Sequence, residues 1–101
     1  MRRSVAMGGL KRTAGDRAEI VRMRTHPDFQ RQGFGSALLC HLEKRASELG
    51  YSTLHLDTLV VQEVAQQFYR RHGYRCVGRG YKEAFEVVFF EKSLAFNQAE
   101  V

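Results

Sequence analysis

A loop with two glycines, followed at once by a helical pattern, constrains this chain more than any other stretch. The segment QRQGFGS at positions 30–36 leads into apolar residues that recur every three or four positions. Glycine lets a backbone approach a ligand closely, and the first N–H groups of a helix lack intrahelical partners and lie at the positive end of its dipole. The segment therefore predicts a cradle for a phosphate or pyrophosphate. A tight turn before an ordinary helix is the simpler alternative.

Two well-known phosphate-binding loops do not fit this segment. A P-loop ends in Gly-Lys-Ser/Thr, whereas Gly35 is followed by Ser36 and Ala37, so both the lysine and the expected magnesium-binding hydroxyl are missing. A dinucleotide fingerprint requires a third glycine or alanine, and that position holds Leu38. Any phosphate bound here is therefore held by a different kind of loop.

Length and composition indicate one small globular domain. A chain of 101 residues normally forms a single core and buries somewhat over ~60% of its unfolded surface. Hydrophobic residues make up 44% and there is one proline, which is unlike a disordered chain. No apolar run approaches the ~18 residues of a membrane span, and the basic residues 1–5 are not followed by the long apolar region of a signal peptide. We therefore expect a single domain, residues 1–101, in the cytoplasm.

The net charge of +5 admits nucleic acid, an anionic membrane or a polyanionic small ligand as partner. Basic residues are dispersed from Arg2 to Lys92 and are not grouped with aromatics as on an RNA-binding surface. A phosphate-rich ligand accounts for part of the surplus and solvated surface for the rest. Cys40 and Cys76 lack the spacing of metal ligands, so we expect two buried free thiols and no metal site.

The hydrophobic periods predict an α/β chain of order β-β-α-β-α-β-β with a mixed, mainly antiparallel sheet. The predicted elements are strands at 4–10 and 18–25, a helix at 33–49, a strand at 53–58, a helix at 60–72, and two strands at 75–78 and 84–92 on either side of Gly80. Since a helix connects them, the strands at 18–25 and 53–58 should be parallel, and a bulge is plausible at 23–25.

Each predicted helix has an apolar stripe that we assign to the core. The stripe of the first helix comprises Leu38, Leu39, Leu42, Ala46 and Leu49. The stripe of the second comprises Val61, Val64, Ala65, Phe68 and Tyr69.

Two motifs in this order resemble those of the GNAT N-acetyltransferase superfamily. The first is the strand at 18–25 followed by Gln30-x-x-Gly33-x-Gly35, which is similar to the family's acetyl-coenzyme A motif. The second is AQQFYRRHGY at 65–74, similar to the family's Ala-x-x-Phe-Tyr-x-x-x-Gly-Phe/Tyr. The resemblance covers about residues 3–94 and implies acetyl transfer from acetyl-coenzyme A, the co-substrate, to an amine.

The resemblance also implies which residues meet the cofactor. Backbone groups of the bulged strand should meet its pantetheine, and the glycine loop its pyrophosphate. Gln62 stands where the family often has an asparagine at the head of the second helix. The implied cofactor-binding residues are Met23, Arg24, Thr25, Gln30, Arg31, Gln32, Gly33, Phe34, Gly35, Ser36 and Gln62.

Two residues are implied for the chemistry. Tyr69 matches the family's tyrosine acid, against the alternative of a half-buried aromatic on the helix face. Glu19 stands in a strand similar to the base-bearing strand of histone-acetylating members, against the alternative of a surface or ion-paired glutamate. His55 and Asp57 share one strand face, but no nucleophile lies nearby in sequence, so we do not favour a catalytic pair.

The resembled family begins with a strand, two helices and another strand that wall the acceptor side, and this sequence shows none of them. The chain would then be a fragment, or be completed by another chain, or be a catalytically weak coenzyme A-binding module. A nucleic-acid binder is the least favoured class. An uncovered sheet edge and face would favour a homodimer, formed through the first strand or the sheet face beside it.

The glycine cradle gives the first testable prediction. Gly35→Val should weaken acetyl-coenzyme A binding at least ~10-fold, or about 1.4 kcal/mol, because a branched side chain blocks the close approach of the ligand. Isothermal titration calorimetry measures the change, with circular dichroism confirming that the variant folds. Unchanged affinity in a folded variant would remove the cradle hypothesis.

Overall fold

Five strands form one sheet in the order β1-β2-β3-β5-β4, as seen in a computed structural model that describes residues 6–25 and 33–94. The elements are β1 (Ala6–Ala14), β2 (Arg17–Thr25), α1 (Phe34–Glu48), β3 (Thr53–Leu59), α2 (Glu63–Arg71), β4 (Arg75–Lys82) and β5 (Phe85–Ser93). Only the β2–β3 pair is parallel, and the other three pairs are antiparallel. The predicted element order and mixed sheet are confirmed. No helix in the described ranges is long and apolar enough to cross a membrane.

A bulge interrupts the ladder between β1 and β2. Met7 pairs with Arg24 and Gly9 pairs with Val21, so two steps along β1 match three steps along β2. The extra residue lies between positions 21 and 24, slightly before the predicted place at 23–25. Because a bulge bends its strand and increases the local twist, it redirects the second half of β2.

Both helices pack on one face of the sheet. Strand residues alternate between faces, and the buried ones on this face contact apolar residues of α1 and α2 in a single cluster. The cluster comprises Ala18, Ile20, Leu39, Leu42, Ala46, Leu54, Leu56, Tyr69, Tyr74, Val88, Phe90 and Leu94. We call this side the helix face. The opposite side, which carries Glu19, His55, Asp57, Val87 and Phe89, we call the open face, since neither α1 nor α2 covers it.

A polar network ties α1 to the end of α2 and to β5 on the helix face. The ammonium of Lys92 donates to Glu43 Oε2 at 3.1 Å and to the carbonyl of His72 at 2.9 Å. The hydroxyl of Tyr74 donates to the same Glu43 oxygen at 2.8 Å. Burial, together with the Glu43 charge, raises the pKa of Tyr74 far above its usual range, so the hydroxyl keeps its proton.

Several predicted core assignments were wrong because the helices are shorter than predicted. Leu49 is the residue that caps α1 rather than part of its stripe, and it is exposed. Helix α2 begins at Glu63, so Val61 precedes it, and Val64 turns outward in its first turn. Ala65 and Phe68 do pack against the core, and Tyr69 is buried in it.

The prediction of buried thiols was also wrong, since both cysteines are free and exposed. Cys40 lies on the side of α1 away from Leu39 and Leu42, and Cys76 lies on the edge strand β4. No group of metal-binding side chains occurs within the described ranges.

The last hairpin turns at a different place from the one predicted. Strand β4 continues through Gly80 to Lys82, and Glu83 takes the turn position with φ 57°. Gly80 instead permits a close approach, because a Cβ at this position would lie 2.9 Å from the ring of Phe89. The longer hairpin places Lys82 at its tip. Strand β1 likewise extends to Ala14, beyond its predicted end at residue 10.

The buried phenol gives a stability prediction. Tyr74→Phe should lower the free energy of unfolding by about 1–2 kcal/mol, because it removes a buried hydrogen bond to the carboxylate of Glu43. Chemical denaturation measures the loss, and Tyr81→Phe, at a tyrosine that is 72% exposed, is the matched control. Equal stability of the two variants would contradict the role of the network.

Candidate active site

The central feature of the site is an opening between the two parallel strands. β2 and β3 pair only from Arg17–Glu19 to Thr53–His55, although β2 continues to Thr25 and β3 to Leu59. Beyond Glu19, β2 is paired with β1 alone and β3 with β5 alone in the described part of the sheet. The backbone groups of β2 and β3 that face this opening can therefore bond to an extended ligand.

The start of α1 provides the second part of the site. Gly33 precedes the helix in a left-handed conformation with φ 86°, which strongly favours glycine. The first turn carries no acidic side chain, so no carboxylate of its own neutralises the positive end of the dipole. Both features suit an anion, and they come from the predicted residues Gly33, Phe34, Gly35 and Ser36.

The structure describes some of the predicted cofactor-binding residues fully, some by their backbone alone, and some not at all. Gln30, Arg31 and Gln32 lie outside the described residues. Met23, Arg24 and Thr25 are described by their backbone, which forms the end of β2 beside the opening. Gln62 caps the start of α2, just beyond the end of β3, and its side-chain oxygen accepts a hydrogen bond from Thr58 at 3.1 Å.

Tyr69 lies on the helix face, where it is buried to 7% exposure. Its ring packs edge-on against Phe68 and Tyr74, with centroids 5.2 and 5.9 Å away. Desolvation by burial raises the pKa of Tyr69 to about 12. The phenol is therefore protonated at neutral pH and able to donate.

Two carboxylates and one lysine meet on the open face. Lys82 Nζ lies 2.8 Å from Asp57 Oδ2 and 3.9 Å from Glu19 Oε2. The two acidic side chains are only 19% and 20% exposed, whereas Lys82 is 56% exposed. The hydrogen bond that Lys82 donates to Asp57, with the charges of both carboxylates, raises the pKa of Lys82 despite the opposing effect of partial desolvation.

This cluster stands at the point where the strands part. Glu19 belongs to the last pair between β2 and β3, and Asp57 lies two residues beyond its partner, His55. An open groove of about 500 Å³ adjoins the cluster, and its lining residues are Asp57, Leu59, Lys82, Glu83, Phe85 and Val87. The groove therefore leads from solvent to Asp57 and Lys82.

His55 does not take part in the cluster through Asp57. Its ring Nε2 lies 2.8 Å from Thr13 Oγ1 on β1, which agrees with our preference against a His55–Asp57 pair. Sequence reasoning missed Asp57 and Lys82 as partners. Strand alternation could have placed Glu19 and Asp57 on one face, but no sequence signal reports the position of Lys82.

A mixed sheet that opens between its parallel strands, beside the glycine-led start of a helix, defines the acyl-coenzyme A N-acyltransferase class of fold. The chain belongs to the Acetyltransferase (GNAT) family, whose family model matches residues 3–74. The resemblance of the two sequence motifs is thereby confirmed.

Curated relatives include the [ribosomal protein bS18]-alanine N-acetyltransferase of Escherichia coli K12, 36% identical over 59 residues. That match covers 58% of this chain and 40% of the relative, so the aligned part spans well under half the length of the curated relatives.

Solved structures share the fold. A putative acyl-CoA N-acyltransferase from Klebsiella pneumoniae is 33% identical with a TM-score of 0.77, over 89% of this chain and 63% of that one. The Escherichia coli ribosomal-protein-S18-alanine N-acetyltransferase is 21% identical with a TM-score of 0.80, over 96% and 66%. A Bacillus subtilis acetyltransferase in complex with CoA is 20% identical with a TM-score of 0.81, over 88% and 68%.

The ion pair on the open face gives a testable prediction. Asp57→Asn should lower the pKa of Lys82 toward its ordinary value, because the main cause of the raised pKa is the hydrogen bond to Asp57. An NMR titration of the lysine side-chain carbons measures the pKa of Lys82. Glu86→Gln, which removes the partner of Arg79 near the same hairpin, is the control. A Lys82 pKa that moves in neither variant would contradict the described contact.

Proposed function

We propose that the chain binds acetyl-coenzyme A in the opening between β2 and β3 and transfers its acetyl group to an amine. The observation that carries the proposal is the opening itself, which lies beside the start of α1. Unpaired strand backbone suits the amide groups of pantetheine, and a glycine-led helix start without acidic residues suits a pyrophosphate. The predicted residues 23–25 and 30–36 take these two roles, with Gln62 at the far end of the opening.

Acetyl-coenzyme A supplies an activated thioester, and the chain's own residues supply the proton transfers. An amine attacks only as a neutral base, so a carboxylate must accept its proton. Asp57 and Glu19 stand at the opening on the open face and are suited to that task. Tyr69, on the helix face and protonated at neutral pH, is suited to donate a proton to the departing thiol.

In this proposal the acceptor amine and the leaving group lie on opposite faces of the sheet. The groove of about 500 Å³ leads to Asp57 on the open face, so the acceptor amine arrives from this side. Tyr69 belongs to α2 on the helix face, where the leaving group is protonated. The acceptor is a primary amine, and the name of the Escherichia coli relative makes a peptide with an N-terminal alanine the first candidate to test.

The test is thiol release from acetyl-coenzyme A with such a peptide as acceptor. Tyr69→Phe should lower kcat at least ~10-fold while leaving the affinity for acetyl-coenzyme A nearly unchanged, because it removes only the proton donor. Tyr81→Phe, at an exposed tyrosine, is the control. Equal turnover by the two variants would discard the role of Tyr69.

A catalytically weak coenzyme A-binding module is the second candidate. It is favoured by the open face, which neither α1 nor α2 covers. Under this reading the single domain of residues 1–101 would hold the cofactor and a partner chain would complete the acceptor side. Tight acetyl-coenzyme A binding without thiol release would favour this candidate over the first.

We also propose that the chain forms a homodimer in the cytoplasm. β1 is an edge strand of nine residues, paired on one side by β2, and an open edge is a template for another chain. Residues 11–14 of this strand are exposed. Two-fold pairing of the β1 edges would bury them in both copies.

Light scattering at micromolar concentration tests the dimer. The expected mass is twice the 11.6 kDa of one chain, because each copy offers the same β1 edge. A stable mass of one chain, with the protein remaining in solution, would contradict it.

A further inference from the structure

The ammonium of Lys82 occupies the position in which an acceptor amine would meet the proposed catalytic carboxylates. Its Nζ is 2.8 Å from Asp57 and 3.9 Å from Glu19, at the end of the β2–β3 ladder. Among the four lysines of the chain, Lys92 is held on the helix face by Glu43, and Lys11 and Lys44 are exposed on β1 and α1. Lys82 is therefore the lysine that the fold presents to the site.

Lys82 also has the freedom that an attacking amine needs. It is the last residue of β4 and directly precedes the two-residue turn at Glu83 and Ala84. Its side chain is 56% exposed and lines the groove that leads to Asp57. A rotation about its side-chain bonds can move the amine toward the opening while the backbone stays in place.

We propose that Lys82 is a site of self-acetylation, with acetyl-coenzyme A as the donor. The inference rests on the proposed function, since it requires acetyl-coenzyme A in the opening. Asp57 takes a proton from the ammonium, and the neutral amine attacks the thioester carbonyl. A C–N bond forms and the C–S bond breaks, and the second proton lost by the nitrogen passes to the departing thiolate, directly or through the tyrosine phenol or water. The products are Nζ-acetyl-lysine and free coenzyme A.

Self-acetylation would change the site that produced it. Acetyl-lysine is neutral, so the ion pair between Lys82 and Asp57 disappears, together with the weaker attraction to Glu19. Two carboxylates that are four-fifths buried would then lack their cation, which raises the attraction of the groove for another ammonium group. Unmodified Lys82 therefore competes with an external amine for the two carboxylates, whereas acetylated Lys82 does not.

The test incubates the full chain with acetyl-coenzyme A and follows acetylation of each lysine by peptide mass spectrometry. We expect Lys82 to be acetylated at least ~10-fold faster than Lys11 and Lys44, because it alone touches a proton acceptor at the site. The rate per molecule should not change on tenfold dilution of the protein, at saturating donor, since the step is intramolecular. Lys82→Arg should remove the fast modification, and Lys44→Arg should leave it intact.

Acetyl phosphate, a small donor that does not need the cofactor site, separates this step from ordinary lysine reactivity. With acetyl phosphate, Lys82 should react no faster than Lys11 or Lys44, because this donor is not held in the opening beside Lys82. A preference for Lys82 with both donors would overturn the proposal, because the selectivity would then not depend on the cofactor site.

Calorimetry on Lys82→Arg, with acetyl-coenzyme A as ligand, separates the two proposals. Binding should match the unsubstituted chain, since Lys82 is not among the cofactor contacts. If the chain binds acetyl-coenzyme A and acetylates the alanine peptide while Lys82 reacts no faster than Lys44, self-acetylation alone is overturned. If neither protein binds acetyl-coenzyme A, the proposed function and the self-acetylation both fail.

Discussion

The site depends on the separation of β2 from β3 beyond their last pair, Glu19 and His55. The bulge between positions 21 and 24 gives β2 one residue more than β1 and bends the strand. The parallel ladder ends at Glu19 and His55, and the remaining backbone of both strands faces an opening. Without the bend, a regular parallel ladder would satisfy those groups and leave no place for an extended ligand. The start of α1, the next described element after β2, is the anion site that we propose for the pyrophosphate.

The sheet also separates the two halves of the proposed chemistry. The helix face holds Tyr69 in a dry cluster, where burial keeps the phenol protonated. The open face holds Asp57 and Glu19 at about one-fifth exposure, where both lie within ion-pair distance of Lys82. The proposed acid and the proposed bases thus lie in different environments, because the backbone of the sheet separates them. Strand alternation puts Glu19 and Asp57 on the face away from the helices, and the packing of α2 puts Tyr69 on the helix face.

Local signals predicted the parts of this site that lie close together in sequence. Gly33 and the apolar stripe behind it predicted the start of α1, since a left-handed residue before a periodic segment is a short-range pattern. The parallel pairing of β2 and β3 followed from the helix between them. The predictions from sequence were wrong where tertiary contacts determine the structure. Gly80 was assigned to a turn because it is a glycine, whereas the structure uses it for the approach of Phe89. Leu49 was assigned to the core on its spacing alone, although the helix ends one residue earlier.

The position of Lys82 could not be predicted for the same reason. Lys82 and Asp57 are 25 positions apart in sequence. They meet because the last hairpin turns at Glu83 and because β4 pairs with β5. Asp57 itself was noticed only as a neighbour of His55, and its relation to Glu19 required the strand register.

A crystal structure of the chain grown with coenzyme A tests the central claim most directly. We expect the pantetheine to lie between residues 22–25 of β2 and 57–59 of β3, with the pyrophosphate against the N–H groups of residues 33–36. Coenzyme A bound elsewhere, with β2 and β3 still apart and empty between them, would contradict it.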